Sequence, residues 1–340
     1  EPHIRLGHEW LAGHQEPDGS WDPAGFMRHD PSDDLCDGPG RAEYRVGVTA
    51  LALIALAEGG IPEGLEPNVR SGLRYLVSIQ TDDGCFGPRK PKHFLYCHGA
   101  AAAAMCAAWR ATGNPLYRES AQRALDFILA ARNPDGVWRY EFAGDDGDTS
   151  VTGWMVLALR WGEDAGLRVD PAAMDAALRH VEEVTDPKTG RAGYTDRGGG
   201  SARPSELRDR FPKEKTRAMT AEACVIRAVM GQDPRWTAAF GRSIEQCLGH
   251  LPDWNPESGS IDMYYWLMGT RACAHAGSAS WRKWAKALME AVWKHQFWKG
   301  SGSRTGSWDP IGPWGPDGGR VYATALMTTC LVIADGDGIP

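Results

Sequence analysis

The sequence predicts an all-α protein of six inner and six outer helices, an α6–α6 toroid. Two observations carry that reading: a helix–turn unit that recurs six times, and a steady alternation of half-polar with wholly apolar helices. The unit is plainest at residues 10–21 (WLAGHQEPDGSW), where a helix runs to Gln15, turns through Pro17-Asp18-Gly19 and meets Trp21. It returns as YLVSIQTDDGCF, with Gln80, Gly84 and Phe86, and as FILAARNPDGVW, with Arg132, Gly136 and Trp138. Looser copies surround Gly190 and Gly259, and a last one with an insertion carries Trp293, Gln296, Gly306 and Trp308. The six glycines are spaced by 65, 52, 54, 69 and 47 residues, a period that marks a repeat architecture. Each part of the unit has a physical reason. Pro-Asp-Gly is turn chemistry, with Gly free to take positive φ at the helix end. The Gln can satisfy carbonyls that the helix end leaves orphaned. The aromatic lies on the outgoing helix and closes the joint, which accounts for 15 Trp in 340 residues.

Taken in order, the pairs are 3–14 with 44–58, 67–80 with 96–112, 116–132 with 148–164, 171–184 with 215–230, 234–250 with 261–276, and 280–297 with 320–334. First members carry Arg, Glu and Lys along one face (YRESAQRALDFILAAR), as a helix half in water does. Second members are apolar nearly all round and rich in Ala, Gly, Thr and Cys (HGAAAAAMCAAW, VYATALMTTCL), so protein must surround them. One domain over 1–340 follows, interrupted by a long basic, Gly-rich segment at 185–217. That segment holds nine Lys/Arg against five acids and reads as a lid or a surface excursion.

Composition sets bounds. A net charge of −7 gives no general attraction to nucleic acid or an anionic membrane, and no apolar run is long enough to span a bilayer. The eight cysteines form no C-x-x-C pair, so no structural zinc site is expected. Four of them (Cys106, Cys224, Cys273, Cys330) fall in apolar helices as buried thiols, while Cys36 and Cys85 lie in loops and can pair in an oxidising compartment. The chain begins at Glu1 with no leader pattern; processing and truncation both fit, and the compartment stays open.

In a double ring the first turns of the inner helices converge at one end of a central cavity. The ligand-binding candidates there are Tyr44, Arg45, His98, Lys215, Arg217, Asp262, Tyr264, Tyr265, Arg320 and Tyr322. The catalytic candidates are Asp145, Asp146 and Asp148, a carboxylate cluster in which like charge can raise one pKa, although N-capping explains the same acids. Asp262 with Tyr264, Tyr265 and Trp266 offers an aromatic wall for an apolar or cationic ligand, or simple packing at a helix start. His98 serves equally as an interior histidine or an anion contact. The loop 16–43, with Asp30, Asp33, Asp34 and Asp37, has acids for Ca²⁺ but no EF-hand spacing.

The Gln…Gly-x-Trp repeats and paired helices resemble the terpenoid cyclase/prenyltransferase superfamily over essentially the whole chain. That resemblance implies a toroid with a central cavity for an isoprenoid. In the cyclases an Asp-x-Asp-Asp-Thr-Ala stretch supplies the acid that protonates the polyene. Here Asp145-Asp146-Gly147-Asp148-Thr149-Ser150 resembles it, with Gly147 at the position of the acid. The prenyltransferase zinc site implies an Asp, a Cys two residues on and a distant His. Asp262 matches the Asp, but Tyr264 and Ala323 stand at the other two positions, so no metal and no cofactor are expected. The resemblance with these replacements implies a toroid that binds an isoprenoid-like or other small molecule, or a protein partner at its rim, without the family chemistry. The alternative is an isoprenoid cyclase or transferase with an acid rebuilt at Asp146 and Asp148. A third reading, a polysaccharide-active α/α toroid, calls for two carboxylates in an open Trp-lined groove.

Overall fold

The structure is a computed structural model that describes residues 1–90 and 92–336. Among these residues it is all-helical, with twelve α-helices and two isolated β-bridges at Gln80–Phe86 and Thr185–Ala192. The outer helices are α1 (Pro2–Gly13), α3 (Glu66–Ser78), α5 (Pro115–Ala130), α7 (Pro171–Val184), α9 (Ala238–Leu248) and α11 (Ser278–Trp293). The inner helices are α2 (Arg45–Ala57), α4 (Phe94–Thr112), α6 (Thr149–Asp164), α8 (Ala218–Val229), α10 (Met263–His275) and α12 (Gly315–Asp335). Inner helices pack in the cyclic order α2, α4, α6, α8, α10, α12, and α12 returns to α2. The toroid is closed, as the alternation of helix types requires.

Small residues set how closely the inner ring packs. A Cβ at Gly47 would stand 2.9 Å from Cys97 Sγ, and one at Gly153 would overlap Glu222 on the next inner helix. The outer ring is held by the repeated turn. In the first joint the Gln15 amide donates to the carbonyls of Gly19 (2.8 Å) and of Asn68 on α3 (2.9 Å). Gln80 repeats this on Gly84 and on Ser120 of α5 (3.0 and 2.9 Å). Gln296 repeats it on Gly306 and on His3 of α1 (both 2.9 Å), which joins the last unit to the first. Gly84 has φ 95°, and a Cβ there would meet the Arg123 carbonyl oxygen at 2.1 Å, so only Gly fits. The tryptophan indole N–H then takes a carbonyl of its own outer helix: Trp21 to Leu11, Trp138 to Ile128 and Trp308 to Val292, at 2.7–2.8 Å.

Some element starts differ from expectation. α8 begins at Ala218 because Lys213–Lys215 forms a separate short turn, and α12 begins at Gly315 with a kink at Gly319 (φ 66°). Cys36 and Cys85 do not form the disulfide that the sequence allowed. Both are free, buried thiols, Cys36 beside Asp30 and Cys85 against the Phe86 carbonyl, held at separate joints of the ring. Replacing fully buried Trp138 by Ala removes both its packing and its indole bond. The Trp138→Ala variant should lose about 3–5 kcal/mol of stability, read as a lower urea midpoint at unchanged slope.

Candidate functional site: an aromatic cavity with a buried carboxyl behind it

The first turns of the inner helices and the segment 185–217 line a cavity that opens to solvent and offers about 130 Å³ to the centres of water-sized spheres. Its wall is largely aromatic: Tyr44, Tyr96, Tyr140, Trp154, Tyr194, Tyr264, Trp314 and Tyr322 line it, with Val48, Leu51, Ala100 and Leu326 between them. Ser201, Ala202 and Arg203 of the long basic segment close part of the mouth.

Three of the ten expected ligand-binding residues, Tyr44, Tyr264 and Tyr322, line this cavity. Six of the others have partners elsewhere. Arg45 pairs with Asp22 (2.6 Å), and Arg217 bonds Gln246 while Lys215 is exposed. Arg320, fully buried, bridges Asp37, Asp309 and Ser307. The Tyr265 hydroxyl donates to the carbonyls of Cys247 and His250. His98 accepts from the Phe86 N–H (3.1 Å) and reaches the Ala124 carbonyl, tying a turn to two helices; burial drives its pKa down to about 4. Asp262 caps α10 at Tyr265 N and accepts from Thr216 (2.9 Å) and from the Arg203 guanidinium (2.8 Å). Among the loop acids, Asp30 pairs with His14, Asp34 accepts from Ser303 N and Asp37 pairs with Arg320.

The three aspartates divide in the same way. Asp145 and Asp146 are exposed, and Asp146 pairs with Arg139. Asp148 is fully buried and caps α6, its Oδ1 accepting from Ser150 N, Ser150 Oγ and Val151 N. Its Oδ2 accepts from the Tyr194 hydroxyl (3.1 Å), which lies 2.5 Å from the Tyr140 hydroxyl. Burial raises the Asp148 pKa, and these hydrogen bonds work against the rise.

A residue that the sequence reading passed over sits behind the wall formed by Trp154 and Tyr264. Glu222 on α8 has no exposed surface, and its Oε2 accepts from the Tyr264 hydroxyl at 2.5 Å. Its Oε1 has no partner among the described residues, and it rests in the space left by Gly153. Desolvation pushes its pKa up to about 8, the Tyr264 bond acts against this, and the Asp148 carboxylate adds to it. Burial therefore favours the protonated form of Glu222. The Tyr96 hydroxyl adjoins that of Tyr264 and the indole of Trp154, whose buried Nε1 makes no hydrogen bond within 3.5 Å among the described residues. The one available signal was a single acid inside the apolar helix AMTAEACVIRAV.

Comparison with known proteins agrees with this architecture. This chain is an α/α toroid. The α-1,6-mannanase GH76A of Salegentibacter sp. HEL1_6, in an inactive variant bound to α-1,6-mannotriose, superposes with a TM-score of 0.63 at 11% identity over 98% of both chains. The cellobiose 2-epimerase of Spirochaeta thermophila DSM 6192 gives 0.63 at 13% identity over 98% of this chain and 94% of its own. A protein from Actinoplanes gives 0.59 at 17% identity over 99% and 98%. At such identities the likeness is one of fold alone. In sequence, 175 residues are 27% identical to a squalene–hopene cyclase of Bradyrhizobium diazoefficiens, covering 46% of this chain. The match spans only 25% of that cyclase. No family model matches the chain.

Two predictions follow from this geometry. The Glu222 pKa is raised on folding, so its stabilising share is full below the unfolded-state value near 4.5 and is lost as pH rises through about 8. Wild type should therefore lose roughly 3–5 kcal/mol relative to Glu222→Gln across that window, measured by denaturant unfolding at stepped pH. Arg203 and Asp262 form a buried ion pair. Arg203→Met alone leaves a buried carboxylate unpaired and should cost about 3–5 kcal/mol, whereas Arg203→Met with Asp262→Asn should cost clearly less.

Proposed function

We propose that the central cavity binds a small, predominantly apolar molecule of the isoprenoid class, held against tyrosine and tryptophan faces with its polar end at the mouth. The observation that carries this reading is the lining itself. Eight aromatic side chains and a band of aliphatic ones surround the space, and the two charged side chains in its lining, Arg203 and Asp317, are paired with Asp262 and Arg41. Apolar ligand surface gains about 25 cal/mol per Å² on entering such a site, and ring faces also favour a ligand that carries positive charge. The relation to part of a squalene–hopene cyclase supports an isoprenoid over other apolar molecules. The mannanase and the epimerase process sugars in the same fold, but a sugar needs several convergent polar groups. This cavity presents mostly ring faces.

A second reading is favoured by the state of Glu222. An ionised Glu222 accepts from Tyr264; a protonated Glu222 can donate to the same phenol oxygen, which frees the Tyr264 O–H to face the cavity. Proton transfer from this chain to an alkene carbon would leave a carbocation over Tyr96, Trp154 and Tyr264, and the Glu222 carboxylate would retain the electron pair. That acid differs in place from Asp146, which is exposed on the rim.

The test is binding and turnover together. Squalene and farnesol should bind the purified protein with a 1:1 heat signal in detergent-dispersed titrations. Leu51→Trp, which fills the cavity from α2, should weaken binding at least about tenfold, or 1.4 kcal/mol, without lowering the melting temperature. Absence of binding by either ligand rejects the isoprenoid reading. A cyclised or isomerised product by gas chromatography–mass spectrometry, lost in Glu222→Gln and kept in Asp146→Asn, establishes the second reading in place of simple binding.

A further inference from the structure

Away from the cavity, the described residues bring together one group of side chains able to hold a metal ion. His14 caps the end of α1, and Asp30 and Cys36 lie in the long loop that follows; their ligand atoms stand within 4.8 Å of one another. All three are shielded: the His14 side chain is 9% exposed, that of Asp30 2%, and Cys36 4%. A nitrogen, an oxygen and a sulfur donor converging in a dry pocket form a set suited to Zn²⁺.

The hydrogen bonds show which atoms are free. His14 Nδ1 lies 2.7 Å from the Trp10 carbonyl oxygen, which can only accept, so Nδ1 carries the ring proton. In the neutral ring Nε2 then presents a lone pair. It faces Asp30 Oδ1 at 2.9 Å, a second acceptor. Two acceptors this close in a buried place need something between them, either a proton carried by the imidazole or the carboxyl, or a metal ion. Cys36 brings the third donor atom: its thiol already hydrogen-bonds the Asp30 carboxylate, so sulfur, nitrogen and oxygen face one another in one buried place. The second Asp30 oxygen accepts from Cys36 N–H (2.8 Å), which fixes the carboxylate with Oδ1 turned to the pocket. The Trp10 carbonyl on Nδ1 fixes the imidazole in the tautomer that a metal needs.

We propose that His14 Nε2, Asp30 Oδ1 and Cys36 Sγ form a Zn²⁺ site whose fourth position is taken by water. Bond lengths of about 2.0–2.3 Å place tetrahedral donors roughly 3.2–3.8 Å apart, so the 2.9 Å edge opens by a few tenths of an ångström on binding. Cys36 gives up its thiol proton to solvent as the Zn–S bond forms. The ion would pin the loop that carries Asp37 and Arg41, which contact Arg320 and Asp317 at the start of α12. The site is independent of the ligand proposed for the cavity.

The experiment uses the full chain, stripped with a chelator and titrated with Co²⁺. A saturable thiolate-to-cobalt charge-transfer band, with the strong visible absorption of four-coordinate cobalt, is expected, and Zn²⁺ should displace both. The melting temperature of the wild-type protein should fall on chelation and recover with Zn²⁺. Cys36→Ser should abolish the charge-transfer band, and His14→Gln should weaken affinity at least a hundredfold. Folding of each variant is checked by its circular dichroism. Titration of the folded wild-type protein without a thiolate band overturns the proposal, and so does a band that survives Cys36→Ser.

Discussion

The ring depends on a joint in which an outer helix ends against the backbone of the next outer helix with no side chain between them. Gly19, Gly84 and Gly306 stand there with φ of 93–97°, each so close to a neighbouring carbonyl that a Cβ would lie within 2.2 Å of it. The Gln of the joint bonds its own turn and the neighbour at once, and the Trp covers the contact from the inside. A buried carbonyl left without a donor costs about 1–3 kcal/mol, so each joint removes that penalty from two helices together. Because the sixth joint reaches His3 and Leu6, the ends of the chain are coupled through the same geometry that couples its middle. The cavity is the space this closure leaves, and its size follows from the ring.

That joint is written locally, which is why the architecture can be read from the sequence. Gln15, Gly19 and Trp21 lie within seven residues, and the apolar character of each inner helix is a property of its own segment. The site is less legible because its partners are distant in sequence. Arg203 meets Asp262 across 59 residues, and Arg320 meets Asp37 across 283. Charged residues placed by helix position at the cavity mouth are thus taken up by ion pairs that no local pattern announces. Tyr44, Tyr264 and Tyr322 reach the cavity because a ring face needs no partner there. Glu222 escapes notice for the opposite reason, since its environment comes from α6 and α10 and not from its own helix.

The neutralisation of charge at this end of the ring follows from burial. An isolated ion far from water is costly, so buried ions occur in pairs or networks. Arg45 with Asp22, Arg203 with Asp262 and Thr216, and Arg320 with Asp37 and Asp309 are such groups, spaced around the rim. They anchor the loop 16–43 and the segment 185–217 to the inner helix starts. With these ions bonded among themselves, the surface left to face the hollow is largely aromatic.

Two carboxyls remain at the back of that wall, and their surroundings assign them different states. Asp148 receives three hydrogen bonds at one oxygen and the Tyr194 hydroxyl at the other, all of which favour the anion. Glu222 receives only Tyr264, has one oxygen without a partner and feels the Asp148 charge. Two carboxyls that interact in a poorly solvated space do not both ionise readily, and the less solvated one keeps the proton. Gly153 is what permits this arrangement, because any side chain at that position would displace Glu222 Oε1 from its niche. The raised pKa of Glu222 behind Tyr264 is therefore a consequence of how α6, α8 and α10 pack in the closed ring.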